Sequence, residues 1–195
     1  MNRLLLGYSP DFDLFDDAPP TPRSALAHKA MRREGEDAQA ATELLEAAAC
    51  ARLPAVLAHE LRDAARTAGG RIGGVLEAEL LRLLQRAARV ALPAPAMLAS
   101  RDDGARASRF FGIELEGLSP EDQEFQSALR FIQLVRAAAG HAVAGSARTP
   151  PAVAAWLAAS RAARRCAPGW SAALRAPSVT TGRKRPHFVQ GAHHA

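Results

Sequence analysis

One short stretch near the middle of the chain concentrates the side chains that are most capable of chemistry. The segment GIELEGLSPEDQEF, residues 112–125, contains five carboxylates, and no acidic residue follows it. Two carboxyl groups can act as general acid and general base when a pocket holds them about 5–10 Å apart and shifts their pKa values. The five candidates are Glu114, Glu116, Glu121, Asp122 and Glu124.

The start of a helix explains the same residues without a pocket. Ser119 is a favourable N-cap residue, and Pro120 suits the first helical position. Ser119 and Asp122 have the spacing of a capping box, and an acidic first turn complements the positive end of the helix dipole. Glu121, Asp122 and Glu124 would also point in different directions on that turn. We therefore predict a helix start here and no catalytic residues.

Other signatures of catalysis or metal binding are incomplete. The segment HELRD, residues 59–63, lacks the second histidine of an HExxH zinc site. His193 and His194 are adjacent terminal histidines and do not form a designed metal site. Ser171 and Cys166 lack the sequence context of a catalytic nucleophile, and no P-loop or dinucleotide-binding fingerprint occurs. We predict that the protein is not an enzyme and has no cofactor and no metal site.

The composition predicts an all-α protein with a thin core. Hydrophobic residues make up 48% of the chain, but many of them are alanine, and aromatic residues make up only 5%. Alanine favours helices but buries little area. We expect a small bundle of about four or five helices in residues 37–170, between a flexible acidic N-terminal segment (1–36) and a basic C-terminal tail (171–195).

Prolines and glycines divide the helical region. Pro54 stands near one helix start, and the glycine-rich residues 69–74 predict a turn between two helices. Residues 93–112 read as a loop that could include one helical turn. The helix that begins at Pro120 is predicted to end at Gly140. The last helix is predicted to have Thr149 as its cap and to end at Pro168 and Gly169, and the predicted core comprises Leu129, Ile132, Val135, Trp156 and Leu157.

Charge is distributed very unevenly along the chain. All 20 acidic residues lie at or before Glu124, together with 15 Lys/Arg residues, which gives this part a net charge of −5. The remainder carries ten Lys/Arg residues and no acid. This polarity predicts either complementary contacts within the molecule or an anionic partner for the C-terminal part. The expected anion-binding residues are Arg161, Arg164, Arg165, Arg183, Lys184 and Arg185.

The N-terminal segment combines acidic and apolar residues. Phe12, Leu14 and Phe15 alternate with aspartates in the sequence DFDLFDD, residues 11–17, which we call the acidic motif. One interpretation is a disordered acidic tail, and the other is a short linear motif whose apolar side chains dock in a groove of a partner.

Two further segments carry a resemblance. The helix GIELEGLSPEDQEFQSALRFIQLVRAAA and the later helix that ends AARRCAPGW, followed by the basic sequence GRKRPHFVQG, resemble a group of bacterial Ala/Gly-rich helical proteins of unassigned function. The match covers about residues 110–190 and extends more loosely over 40–92. The resemblance implies a shared helical module and supplies no catalytic residues.

These features favour a non-catalytic interaction or assembly protein whose basic C-terminal half docks an acidic protein partner or another copy. The first alternative is an architectural nucleic-acid-binding protein. The second is an injected or membrane-active effector, suggested by the amphipathic segment 75–92 and its arginines. The N-terminal apolar run stops at Gly7, too early for a signal peptide, so we expect a cytoplasmic protein with no integral membrane segment.

Overall fold

The protein is described by a computed structural model that covers residues 22–92, 101–145 and 148–170. This part of the chain is all-α and contains no strand, as predicted. Its six helices are α1 (Pro22–Ala49), α2 (Leu53–Thr67), α3 (Gly74–Ala91), α4 (Arg101–Phe111), α5 (Pro120–Val143) and α6 (Pro151–Cys166).

The central element of the bundle is α5, which packs against each of the other five described helices. The sixth helix lies against α5 and α3, while α1 and α2 pack together on α5. The largest fully buried side chains are mainly leucines of α1 to α3 and residues of α5. Many alanines fill the remaining core positions, so the helices approach closely and each contributes a small apolar area.

The turn between α2 and α3 confirms the role predicted for the glycine-rich segment. Gly69 has a φ of +83°, a left-handed conformation that glycine adopts without strain. The Gly70 N–H donates to the Ala65 carbonyl, which closes the end of α2. This geometry lets α2 stop and α3 begin at Gly74 within a few residues.

Two boundaries differ from the sequence expectation. The first helix begins at Pro22, so helical structure extends into the segment that was expected to be flexible. Residues 101–111 form α4, where a loop was predicted, and this raises the number of described helices to six. Packing explains α4, because Ala107, Phe110 and Phe111 are buried against the bundle and override a polar local sequence.

Two predicted helix signals were wrong. Gly140 does not end α5, which continues to Val143, because a single glycine costs a packed helix only about 1 kcal/mol. The N-cap position of α6 is Pro150, and no side chain caps it, so Thr149 has no capping role. By contrast, Pro54 does lie in the first turn of α2.

The predicted core of α5 and α6 is partly confirmed. Ile132 and Val135 are fully buried, whereas Leu129 and Trp156 are only partly buried. Leu157 was wrongly placed in the core, since 37% of its surface is exposed. Alanines form the buried face of α6 instead, because small side chains allow α6 to lie close to α5 and α3: Ala155, Ala158, Ala159, Ala162 and Ala163.

Candidate functional site

The structure places the members of the carboxylate cluster in different surroundings. Glu114 and Glu116 are exposed and line an open depression of about 820 Å³ between α4 and the start of α5. Glu121 and Asp122 lie exposed on the first turn of α5. Glu124 is half-buried elsewhere and is not among the residues that line the depression.

The helix start at Ser119 is confirmed in detail. The Ser119 Oγ accepts a hydrogen bond of 3.1 Å from the Asp122 backbone N–H and donates one of 2.9 Å to the Asp122 carboxylate. Pro120 occupies the first turn, and both acids of that turn lie at the positive end of the helix dipole. These carboxylates therefore organise the start of α5.

Glu124 lies in a partly buried environment. Burial raises the pKa of this carboxyl, and the neighbouring Glu121 raises the pKa further. Its Oε1 atom is buried and has no hydrogen-bond partner among the described residues. The raised pKa therefore reflects a poorly solvated position on the first turns of α5.

The residues that follow α6 contact the end of α4. The Gly169 N–H donates to the Phe110 carbonyl at 3.0 Å, and the Trp170 ring lies 6.2 Å from the Phe110 ring. A Cβ on Gly169 would lie 2.3 Å from the Arg109 carbonyl oxygen, so only glycine fits there without a shift. This junction joins the end of α6 to the end of α4.

The predicted anion-binding residues of α6 lie together on its outer surface. Arg161, Arg164 and Arg165 are exposed, and none of them forms an ion pair within the described residues. Leu157 lies one helical turn before Arg161 on the same side of the helix. We call Leu157, Arg161, Arg164 and Arg165 the α6 basic face.

The remaining predicted binding residues lie outside the described residues. They are the cations Arg183, Lys184 and Arg185 of the tail and the apolar residues Phe12, Leu14 and Phe15 of the acidic motif.

A neighbouring cation on α5 extends this surface, and sequence reasoning did not single it out. Arg130 is exposed and hydrogen-bonds to Gln133 at 3.3 Å. Burial raises the pKa of the Cys166 thiol, whereas the positive charges of Arg165 and Arg130 lower it by a smaller amount. Both guanidinium groups therefore lie near Cys166. The antiparallel pairing of α5 and α6 creates this proximity, and no local pattern encodes it.

One cation of the C-terminal half is used inside the bundle. Arg136 on α5 pairs with the Asp37 carboxylate of α1 and lies 3.4 Å from the Glu60 carboxylate of α2. It also donates to the Glu36 carbonyl at 3.3 Å. Asp37 and Glu60 are both buried, so the charge polarity of the chain is partly satisfied within the molecule.

Neither a metal-binding cluster nor a membrane-spanning helix occurs among the described residues. No group of three or more His, Cys, Asp or Glu side chains there is arranged to hold a metal ion. No described helix is long and apolar enough to cross a membrane. The apolar side of α3, which had suggested lipid binding, is occupied by packing within the bundle: Leu80, Leu84, Ala87, Ala88 and Ala91 are buried.

No protein-family model, curated protein or solved structure gives a significant match to this chain.

Proposed function

We propose that this chain is a non-catalytic interaction and assembly protein whose α6 basic face docks an acidic protein partner or another copy. The observation that carries the proposal is the group of three exposed arginines on α6 that form no ion pair with the rest of the described protein. An exposed leucine accompanies them.

The stability of α6 does not explain this arrangement. Cations near a helix C-terminus interact favourably with the dipole, but that effect is confined to the last turn. It accounts for Arg164 and Arg165, which lie in the last turn, and leaves Arg161 unexplained. Like charges three or four residues apart destabilise a helix by about 0.2–0.5 kcal/mol per pair. Carboxylates of a partner would relieve this repulsion.

The position of Leu157 favours a protein partner. A protein interface combines an apolar centre with a polar rim, and Leu157 supplies an apolar contact beside the arginines. Phosphate contacts alone need no exposed leucine, because guanidinium groups bind the DNA backbone through charge and hydrogen bonds. Val153 and Trp156, both half-buried, extend the apolar part of this side of α6.

Fluorescence anisotropy with labelled probes tests the proposal. The probes are an oligoglutamate peptide with interspersed leucines and a DNA duplex of about 20 base pairs, each at about 20 mM and about 200 mM salt. We expect the acidic peptide to bind the full chain and R161A/R164A/R165A to weaken that binding about tenfold or more. L157S should weaken it with little change in salt dependence.

A matched control removes the same charge elsewhere. Arg32, Arg33 and Arg71 are exposed and form no ion pair within the described residues, so R32A/R33A/R71A lowers the net charge equally. Peptide binding by this variant should stay within about twofold of wild type. Equal losses of peptide binding in both triple variants would contradict the proposal. Tighter binding to the duplex than to the peptide would also contradict it and would favour an architectural nucleic-acid-binding protein.

A further inference from the structure

The chain contains a segment whose chemistry complements the α6 basic face. The acidic motif carries four carboxylates among residues 11–17, and the face carries three guanidinium groups that form no ion pair within the described residues. The motif also carries three large apolar residues, and the face presents Leu157 with half-buried Trp156 beside it. Charge complementarity sets orientation and encounter rate, and apolar anchors supply most of the affinity.

The path of α1 favours docking between copies over docking within one chain. Every described side chain of α1 from 30 to 36 is exposed, and Asp37 is the first buried one. The ion pair between Asp37 and Arg136 holds α1 to α5 at that point. Residues 22–36 correspond to about 22 Å of helix. This length of helix precedes the first buried residue of α1, which favours contact of the motif with a neighbouring copy.

We infer that the α6 basic face binds the acidic motif, residues 11–17, of a second copy of this chain. The inference rests on the proposed function and identifies the partner. Each copy carries one motif and one face. Two copies that exchange motifs reciprocally form a closed dimer, and successive one-way contacts form an open chain. The carboxylate–guanidinium contacts make the association weaker as salt increases.

Sedimentation velocity over a range of concentrations tests this with full-length chains. The motif variant F12S/L14S/F15S removes the apolar residues of the motif, and the face variant R161E/R164E/R165E reverses the charge of the face. We expect the wild-type mass to rise with concentration and each variant to remain monomeric. An equimolar mixture of the two variants should form a heterodimer, because one supplies an intact motif and the other an intact face.

Circular dichroism establishes that each variant is folded before it is used. If the face variant unfolds, L157S replaces it, since Leu157 is exposed and its loss leaves no buried cavity. A mixture that stays monomeric would overturn the inference. Wild type that stays monomeric at every concentration would also overturn it, because docking in trans requires association.

A peptide experiment separates failure of this inference from failure of the proposed function. A labelled peptide of residues 8–20 is titrated with the motif variant, whose own motif cannot compete. We expect this peptide to bind saturably. The same peptide with its three apolar residues changed to serine should not bind. If the oligoglutamate–leucine probe binds the face and the 8–20 peptide does not, the inference is wrong while the proposed function stands. If neither binds, both are wrong.

Discussion

The guanidinium group of Arg136 on α5 donates to the carboxylate of Asp37 on α1, a residue 99 positions earlier in the chain. Glu60 of α2 lies within reach of the same guanidinium. Three helices therefore converge on one charged group inside a bundle whose core is mostly alanine and leucine. Within the described residues, Arg136 has carboxylate partners inside the bundle, whereas the arginines on the outer surface of α6 have none.

Replacing Arg136 with methionine should lower the free energy of unfolding by about 3 kcal/mol, because it leaves two buried carboxylates without their partner. Urea unfolding at neutral pH measures the change. R130M is the matched control, since Arg130 is exposed on the same helix, and its effect should stay below about 0.5 kcal/mol. Similar losses in the two variants would show that the buried pair has no special role.

Replacing Ser119 with alanine should lower the free energy of unfolding by about 1 kcal/mol, since the first turn of α5 loses its side-chain cap. Thermal unfolding followed by circular dichroism measures this. T149A should have almost no effect, because Thr149 does not cap α6. A larger loss in T149A than in S119A would contradict the assignment of the two helix starts.

Replacing Gly169 with alanine should lower the free energy of unfolding by about 1–3 kcal/mol, because the new Cβ would meet the Arg109 carbonyl oxygen. The emission of Trp170 should shift as its contact with Phe110 loosens. An added Cβ at Gly73, the N-cap position of α3, meets no atom within 4 Å, so G73A provides the control. Unchanged stability in G169A would mean that the junction between α4 and α6 can shift at little cost.

Replacing Glu124 with glutamine should stabilise the protein at neutral pH. Burial, with a smaller contribution from Glu121, raises the pKa of Glu124 above its ordinary value of 4.5. The folded state therefore favours the protonated carboxyl of Glu124. Above its folded-state pKa, ionisation of this carboxyl lowers the free energy of unfolding, whereas below pH 4.5 the carboxyl is protonated in both states and there is no such loss. Melting temperatures of E124Q and wild type should differ at about pH 7 and converge at about pH 4. E114Q removes the same charge at an exposed position and provides the control.

Two serines provide a paired test of buried hydroxyl groups. The Ser127 hydroxyl donates to the Gln123 carbonyl at 2.7 Å, whereas the buried Ser160 hydroxyl has no partner among the described residues. S127A should therefore cost about 1 kcal/mol, and S160A should be neutral or slightly stabilising. Chemical denaturation of both variants measures the contrast, and a greater loss in S160A would show that its hydroxyl has a partner in solution.

Local chemistry allowed one helix start and one turn to be predicted, whereas the side of a helix that faces its neighbours was harder to assign. The cap at Ser119 and the turn after Gly69 depend on residues within a few positions, so the sequence reveals them. The fourth helix was missed because its stability comes from Phe110 and Phe111 packing on distant elements. Leu157 was predicted to lie in the core because it is apolar. The packing of α6 against α5 and α3 shows that the alanine side of α6 is the side that faces these two helices.

Prediction of the candidate site was limited for the same reason, because the sequence does not show which helix a given side chain faces. The uneven charge led to the prediction that the arginines of α6 bind an anionic partner, but it did not distinguish them from Arg136, which ion pairs hold inside the bundle. That difference depends on which helix each arginine faces. The proximity of Arg130 to Cys166 likewise follows from the antiparallel pairing of two helices.

The alanine side of α6 has an evolutionary consequence. Each alanine that contacts α5 or α3 sets the distance between two helices, so an added methylene there forces a shift that costs about 1–3 kcal/mol. The opposite side touches no other helix at its arginines, and surface substitutions there cost little. Related chains could therefore acquire new binding preferences by changing the outer side of α6 while they retain the same fold.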